Sequence, residues 1–184
     1  MSALPPCVLV DRDGVLNEDR PDYVRSWEEW VWQEGALEAL ARLHAAGISV
    51  GVVTNQSGIG QGILASEELE RIHTRMRDEA AEAGGRIDGV FFCPHVDADA
   101  CGCRKPLPGL LHQAADQLGC EPAGIPFVGD AERDLLAARA AGAEPVLVRT
   151  GKGAATERRG LPSGTRVYDD LAAFVDSLLE SEPV

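Results

Sequence analysis

The stretch CVLVDRDGVLN, residues 7–17, contains the strongest structural and chemical signals in the sequence. Its apolar, largely β-branched run at 8–10 ends at Asp11, and Asp13 follows two positions later, directly before Gly14. Two neighbouring carboxylates at the end of a buried strand would be costly in a core, because nothing in the preceding run neutralises them. The same arrangement is well suited to hold a divalent cation and to supply a nucleophile.

Apolar runs and helical patterns alternate along the rest of the chain, which predicts an α/β fold. Helices are predicted at 36–46, 66–83, 110–118 and 131–141, each followed by a glycine, and Ser66 is expected to cap the second. Strands are predicted at 48–54, 89–92, 125–129 and 144–150. The segment 165–179 is predicted to form a short strand and a terminal helix. This order favours βαβ units in a Rossmann-like parallel sheet with helices on both faces. We expect one domain over residues 1–184.

Composition excludes several classes of partner. The chain has 17 Lys and Arg against 30 Asp and Glu, a net charge of −13, which argues against nucleic-acid binding and against an anionic membrane surface. The opening MSALPPC lacks the basic and long apolar regions of a signal peptide, and no apolar run is as long as a membrane span. We therefore expect a cytoplasmic protein in which a local metal and a few cations bind any phosphate. We also expect a monomer.

Polar residues follow the predicted strands where a ligand would bind. The first strand ends at Asp11, the second at Thr54 and the fourth at Asp130, and the third runs into Cys93. Because the carboxyl ends of parallel strands lie along one edge, where open α/β proteins bind ligands, we expect these residues to converge. The loop after Cys93 delivers Lys105 to the same edge.

The chemistry of this set is that of phosphoryl transfer. Carboxylates from two strands form an oxygen-rich site that suits Mg²⁺. Asp11 can attack phosphorus, and Asp13 can protonate the leaving alkoxide and later deprotonate water. Thr54 and the amides after it supply neutral donors, and Lys105 supplies positive charge. Each residue alone has an ordinary structural explanation, and the ordered set is what indicates an active site.

Four soft or borderline ligands lie within residues 93–103 in the pattern CxHx5CxC. Cys93, His95, Cys101 and Cys103 suit a closed, tetrahedral Cys3His site, which leaves no position for water and indicates structural Zn²⁺. Arg104 and Lys105 follow the last ligand directly, so the metal is expected to position these cations. The alternative is a loop that holds free cysteines and a histidine.

Two other motif interpretations do not fit. The sequence DxDG also occurs in EF-hand loops, but its glycine comes too early and no Glu closes a twelve-residue loop. The run GIGQG at 58–62 has GxGxG spacing, not the GxGxxG of dinucleotide-binding loops, and it follows the second strand. The histidines His44, His73 and His112 lie on predicted helices and are expected to be ordinary helix residues.

The motifs together resemble those of the haloacid dehalogenase superfamily, namely DxDG(T/V), a strand-ending Thr or Ser, a Lys, and GDxxxD. Here they are DRDGV at 11–15, Thr54, Lys105, and GDAERD at 129–134 with Asp134 in a supporting role. DRDGVLN, TNQSGIGQG, CPH with CGCRKPLPG, and VLVRTGK further resemble the histidinol-phosphatase-like branch and its D-glycero-D-manno-heptose 1,7-bisphosphate phosphatases. The resemblance covers about residues 8–152.

The resemblance implies a domain without a large cap and an aspartyl-phosphate intermediate formed in carbohydrate metabolism. It places Mg²⁺ on Asp11, Asp130 and the carbonyl of Asp13, and Zn²⁺ on the 93–103 loop. The substrate would be a small sugar bisphosphate that loses its 7-phosphate. The residues expected to contact phosphate or substrate are Thr54, Asn55, Gln56, Ser57, Arg104, Lys105, Asp19, Arg20, Pro21 and Asp22.

Two departures from the family pattern leave the substrate open. These phosphatases often carry Arg where this chain has Gln61, and Lys where it has Ala131. Histidinol phosphate or another small sugar phosphate is the alternative substrate, and a polynucleotide 3′-phosphatase is a more distant one that the acidic surface disfavours. A zinc-stabilised binding module without turnover is the alternative from another class.

Overall fold

A computed structural model describes residues 4–180 and contains a six-stranded, all-parallel sheet. The strands are β1 (Cys7–Val10), β2 (Ser49–Asn55), β3 (Gly89–Cys93), β4 (Pro126–Gly129), β5 (Glu144–Val148) and β6 (Arg166–Tyr168). They are arranged in the order β3-β2-β1-β4-β5-β6, so β1 lies in the middle. The predicted α/β class and parallel sheet are confirmed.

Within residues 4–180, six helices connect or follow these strands. They are α1 (Ala36–Ala45), α2 (Ser66–Glu82), α3 (Gly109–Leu118), α4 (Glu132–Ala141), α5 (Gly153–Arg159) and α6 (Leu171–Glu180). The long connection between β1 and α1 has only one 3-10 turn, Trp27–Glu29, and the 93–108 region has only the turn Asp97–Asp99. Within residues 4–180, no helix is both long and apolar enough to span a membrane.

The alternation of side chains along β1 divides the core into two layers. Val8 and Val10 pack on the side of α1, α2 and α6, whereas Cys7 and Leu9 pack on the side of α3 and α4. All four residues are buried, because a central parallel strand is covered on both faces. The chain therefore leaves β1 at one edge of the sheet, with Asp11 as its next residue.

Two details differ from expectation. Ser66 does not cap α2: it is already the first helical residue, the extended Ala65 precedes it, and the cap position has no side-chain hydrogen bond. Helix α5 was not predicted, because its seven residues, GAATERR, carry no apolar face and follow a glycine-containing turn. The glycines after α1, α3 and α4 do take the left-handed conformation expected of helix ends.

Candidate active site

Three carboxylates meet at the carboxyl edge of the sheet. Asp11 follows β1, and its backbone N–H donates to the carbonyl of Val128 in β4 at 2.8 Å, which joins the two strand ends. Asp130 follows β4, and Asp134 lies in the first turn of α4. All three side chains are buried, and one carboxylate oxygen of each lies within 4.8 Å of the corresponding oxygens of the other two. The sheet therefore brings Asp11 together with two acids that lie more than a hundred residues later in the chain.

Lys105 lies between two of these acids. Its Nζ is 3.0 Å from Asp11 Oδ1 and 2.8 Å from Asp134 Oδ1, and it donates to the carbonyl of Val53 at 2.8 Å. Burial of the lysine would lower its pKa, but Asp11 and Asp134 together raise it. A fixed ammonium charge thus lies directly beside Asp11.

The amide of Asn55 holds the backbone of Lys105. Its Oδ1 accepts from the Lys105 N–H and its Nδ2 donates to the Lys105 carbonyl, both at 3.1 Å. Asn55 ends β2, so this pair of hydrogen bonds ties the lysine's loop to the sheet. The side chain that was predicted to contact substrate therefore also positions the cation.

The acidic cluster carries uncompensated negative charge. Burial and then repulsion from Asp134 raise the pKa of Asp11 to about 6, and burial with repulsion from Asp11 and Asp134 raises that of Asp130 to about 8. Asp134 differs: burial would raise its pKa, but Lys105 and Arg133 lower it below its ordinary value. Asp134 and Asp11 share the single charge of Lys105, and Asp130 has no ion pair among residues 4–180, so Asp11 and Asp130 are the carboxylates that lack enough positive charge.

This imbalance fits a divalent cation. Hard carboxylate oxygens are the ligands that Mg²⁺ prefers, and two of them with raised pKa values gain most when a cation binds. Two glycines make room at Asp130: a Cβ on Gly14 or Gly151 would lie 2.0 or 2.3 Å from Asp130 Oδ2. The Lys152 N–H also donates to this oxygen at 2.8 Å. Asp11 and Asp130 are therefore suited to hold Mg²⁺.

Asp134 contacts protein groups with both of its oxygens. Besides the ion pair through Oδ1, its Oδ2 accepts from the N–H groups of Asp130 and Ala131 at 3.2 and 3.0 Å. The carboxylate thus fixes the turn between β4 and α4 and, at the same time, the ammonium of Lys105. The supporting role that the family resemblance implies for Asp134 stays a prediction, with which these contacts are compatible.

Asp13 is surrounded by hydrogen-bond donors. Its carboxylate accepts from Asn17 Nδ2 at 3.0 Å, from Gln56 Nε2 at 2.9 Å, and from Arg12 Nη2 at 2.9 and 3.1 Å. Burial would raise its pKa, but Arg12 and these hydrogen bonds lower it. Gln56 Nε2 also donates to Thr54 Oγ1 at 2.9 Å. Thr54 and Gln56 are both buried, so their side chains form a polar layer behind Asp13.

A cleft of about 350 Å³ opens over this edge. Seven residues singled out in the sequence line it, namely Asp13, Asp19, Arg20, Pro21, Asn55, Ser57 and Arg104. Asp22 is not among the lining residues: it is half-exposed and forms ion pairs with Arg20 at 3.3 Å and Arg25 at 3.1 Å. The 18–35 connection therefore covers the cleft mainly through its residues 19–21.

Three lining residues were missed in the sequence. They are Tyr23, Arg133 and Lys152. Tyr23 has a left-handed backbone, with φ of 66°, and its hydroxyl lies 3.0 Å from Ser57 Oγ and accepts from Gln61 Nε2 at 2.7 Å. Lys152 closes the VLVRTGK segment, which could have drawn attention to it; Arg133 follows Asp130 by only three positions, but no local pattern marks it.

Arg133 is the cation of the cleft that forms no ion pair within residues 4–180. Lys152 forms an ion pair with Asp19 at 3.0 Å, Arg20 pairs with Asp22, and Arg104 pairs with Asp97. Among residues 4–180, no ion pair or hydrogen bond engages the Arg133 guanidinium, and its buried Nε has no partner. An incoming anion therefore finds its least committed positive charge at Arg133.

His73 is not the ordinary helix residue that was expected. It is buried on α2, and its Nε2 lies 3.1 Å from Nη1 of Arg12, the residue between Asp11 and Asp13. Burial and the neighbouring charge of Arg12 lower the pKa of His73 to about 3, so the ring is neutral. The helical pattern could not reveal this contact, because the two residues are 61 positions apart.

The four predicted zinc ligands lie together. The three sulfur–sulfur distances among Cys93, Cys101 and Cys103 are 3.2, 3.5 and 3.6 Å. His95 Nδ1 lies 3.5 and 3.4 Å from Cys93 Sγ and Cys103 Sγ. In a tetrahedral site with Zn–S bonds of about 2.3 Å, neighbouring sulfur atoms are about 3.8 Å apart. The sulfur atoms of this cluster are therefore slightly closer together than in that geometry. The cluster is compatible with Zn²⁺.

Comparisons with known proteins agree with this site. A HAD-hydrolase-like family model matches residues 102–174. The chain is 47% identical to the D-glycero-β-D-manno-heptose-1,7-bisphosphate 7-phosphatase of Pseudomonas aeruginosa, over 94% of this chain and 97% of that protein. It is 42% identical to the corresponding α-anomer phosphatase of Mycobacterium tuberculosis, over 70% of this chain and 69% of that protein.

A solved structure extends the similarity to the whole fold. The D,D-heptose 1,7-bisphosphate phosphatase from Bordetella bronchiseptica, complexed with magnesium and phosphate, matches with a TM-score of 0.94. It is 45% identical in sequence, and the match covers 97% of this chain and 100% of that chain. The predicted absence of a large cap is consistent with this near-complete overlap.

Proposed function

Because the chain belongs to the family of D-glycero-D-manno-heptose-1,7-bisphosphate 7-phosphatases, within the haloacid dehalogenase-like hydrolases, we propose that it removes the 7-phosphate of this sugar bisphosphate. The observation that carries the proposal is the position of Lys105, whose ammonium lies 3.0 Å from Asp11 and 2.8 Å from Asp134 beside Asp130. Several buried acids that share one cation contribute little to the stability of a fold. They are typical of a functional site, here one for phosphoryl chemistry.

Asp11 is the proposed nucleophile. Its Oδ1 is held by Lys105 at 3.0 Å and by the Arg12 N–H at 2.7 Å, whereas no donor in residues 4–180 bonds to its Oδ2. One oxygen thus fixes the carboxylate, and the other is available to attack phosphorus. Attack forms the P–O bond to Asp11 as the bond to the sugar oxygen breaks, and water then hydrolyses the acyl phosphate. Lys105 stabilises the negative charge of the transferring phosphoryl group.

Asp13 is the proposed acid and base. It would give a proton to the sugar oxygen in the first step and take one from water in the second. Its donors lower its pKa in the free protein, and the negative charge of a bound phosphate acts in the opposite direction. Asp13 is also part of the cleft wall, so a leaving group in the cleft can reach it.

Mg²⁺ is the proposed catalytic metal. The carboxylates of Asp11 and Asp130 and the carbonyl of Asp13 would hold it, and the ion would neutralise phosphate charge when bound. The raised pKa values of the two carboxylates support this assignment, as does the magnesium in the B. bronchiseptica structure. Zn²⁺ is proposed for the Cys3His cluster, where it would hold the loop that carries Lys105.

Positive charge in the cleft supports a bisphosphate substrate. Ala131 lacks the lysine that related phosphatases often carry, but Arg133 lines the same cleft two residues later and has no ion pair among the described residues. We assign it to the second phosphate of the substrate. Five relatives that match 94% of this chain at 43–47% identity are β-anomer phosphatases, which favours the β anomer.

The proposal is tested by comparing kcat/KM in Mg²⁺ for the β and α heptose 1,7-bisphosphates and for histidinol phosphate. We expect the β-bisphosphate to be preferred and Asp11→Asn to lower kcat roughly 10³-fold or more on every substrate. Histidinol phosphate preferred by about a hundredfold would overturn the substrate. Release of phosphate from an aryl phosphate that survives Asp11→Asn would overturn the nucleophile, and no release by the wild type would favour a binding module.

The role of Arg133 has its own test. Arg133→Gln should lower kcat/KM for the bisphosphate by about tenfold or more, the value of a charge-assisted hydrogen bond, and leave heptose 7-phosphate nearly unchanged. Arg139→Gln is the matched control, because this exposed arginine lies on the same helix but does not line the cleft. Equal losses on both substrates would contradict the assignment.

A further inference from the structure

The guanidinium of Arg12 is buried directly behind Asp13. Its side chain has no exposed surface, and its Nη2 donates to both carboxylate oxygens of Asp13. A buried arginine needs acceptors for its other donors, since each unpaired N–H retains its desolvation cost. The Nη1 group has an acceptor in His73 Nε2, at 3.1 Å, whereas the buried Nε has no partner among residues 4–180.

The geometry defines the state of His73. Arginine has five donors and no acceptor, so Nε2 of His73 accepts the hydrogen bond and the proton is on Nδ1. The imidazole is also held by Phe92 of β3, whose ring centroid is 5.9 Å away. The ring therefore presents a fixed neutral acceptor from α2 towards the loop after β1.

Arg12 is clamped from a second side by an aromatic ring. Its guanidinium carbon lies 5.6 Å from the centroid of Trp30, within range of a cation–π contact. Trp30 belongs to the connection that covers the cleft, whereas His73 belongs to a helix on one face of the sheet. The hydrogen bond at Nη1 and the contact of Trp30 with the guanidinium face together fix the orientation of the guanidinium. In this orientation Nη2 points towards Asp13.

We propose that His73 is a positioning residue for the acid–base carboxylate Asp13 and acts through Arg12. The inference rests on the proposed function, because it presupposes that Asp13 transfers the proton. Two of the four contacts to the Asp13 carboxylate come from Arg12, so rotation of the guanidinium would release the carboxylate from the orientation that faces the cleft. Without an acceptor at position 73, Nη1 would be buried and unpaired, and that rotation would follow.

The leaving group makes this role measurable. An alkoxide departs only when an acid protonates it, whereas a nitrophenolate is stable enough to leave without help. A variant that misplaces Asp13 should therefore be impaired on the sugar phosphate much more than on p-nitrophenyl phosphate. A variant that only loosens the fold should be impaired equally on both.

The experiment measures kcat on both substrates for His73→Leu, His73→Gln and Asp13→Asn. We expect His73→Leu to lower kcat on the sugar phosphate by about 10- to 100-fold, a part of what general acid catalysis contributes, and by less than about threefold on p-nitrophenyl phosphate. His73→Gln restores an acceptor and should recover most of the loss. His112→Leu, an exposed histidine of α3, is the matched control and should change neither rate.

The outcomes separate the inference from the proposed function. If Asp13→Asn is selective for the sugar phosphate but His73→Leu lowers both rates equally, or neither, the inference is overturned and the proposed acid stands. If Asp13→Asn shows no selectivity, both are overturned. Should His73→Leu fail to fold, His73→Met gives a weaker form of the same test, since its thioether fills a similar volume but is only a weak acceptor, and it should show the same selectivity between the two substrates.

Discussion

The stability of the magnesium-free protein should fall as the pH rises, because of Asp130. Burial and the neighbouring acids raise the pKa of this carboxyl from 3.8 to about 8. Between these two values the folded protein holds a proton that the unfolded chain has released, so the folded state binds more protons. The free energy of unfolding therefore decreases with pH over this range, in contrast to the usual behaviour of a paired aspartate.

The size of the effect follows from the same pKa. For each pH unit over which the folded state holds one extra proton, the free energy of unfolding falls by about 1.36 kcal/mol. Asp130 is protonated at pH 6 and half-protonated at pH 8. Its contribution is about 2.3 kcal/mol between pH 6 and pH 8, and Asp11, with a pKa of about 6, adds about 0.4 kcal/mol. Bound Mg²⁺ holds both groups ionised at both pH values and removes this dependence.

Urea unfolding at pH 6 and pH 8 measures the difference, with and without saturating Mg²⁺ and with no chelator, so that Zn²⁺ is retained. We expect the metal-free protein to lose about 2–3 kcal/mol over this interval, and the magnesium-bound protein to lose much less. Asp130→Asn, which cannot ionise, should lose little even without metal. A metal-free loss below about 0.5 kcal/mol, or an equal loss in Asp130→Asn, would refute the reasoning.

Two further substitutions test the metal sites. Cys101→Ala should abolish stoichiometric zinc and lower kcat, because the loop that carries Lys105 is no longer held; full activity of demonstrably zinc-free protein would contradict this. Gly151→Ala places a Cβ 2.3 Å from Asp130 Oδ2 and should raise the Mg²⁺ concentration for half-maximal activity about tenfold or more. Gly62→Ala is its control, because Gly62 also has a left-handed φ, of 70°, but no atom lies within 4 Å of the added Cβ. An equal effect of both substitutions would contradict the explanation that the Cβ at position 151 clashes with Asp130.

The sequence predicted the features that depend on local residue patterns or on the geometry of a parallel sheet. The apolar runs at 8–10 and 125–129 predicted buried strands, and the rule that parallel strands share a carboxyl edge predicted that Asp11 and Asp130 converge. Spacing alone was enough for the zinc cluster, because its four ligands come from one short loop. These inferences needed no knowledge of side-chain packing.

The sequence did not predict side-chain contacts between segments that are distant in the chain. The bond between Arg12 and His73 joins a loop to a helix 61 residues later, and a histidine on the buried face of a helix gives no sign of its partner. Similarly, the strand-end position predicted that Thr54 belongs to the site, and the family resemblance implied the same for Gln56, but neither showed that both are buried behind Asp13. Helix α5 was missed because a short polar helix has no periodic signal.

The central claim, that a carboxylate of the protein is transiently phosphorylated, is tested most directly by the stereochemistry at phosphorus. The substrate would carry a phosphate made chiral with oxygen isotopes, and the configuration of the product would be determined after turnover in isotopically labelled water. Two successive in-line displacements, first by Asp11 and then by water, predict overall retention of configuration. Inversion would show a single direct attack by water and would contradict the account.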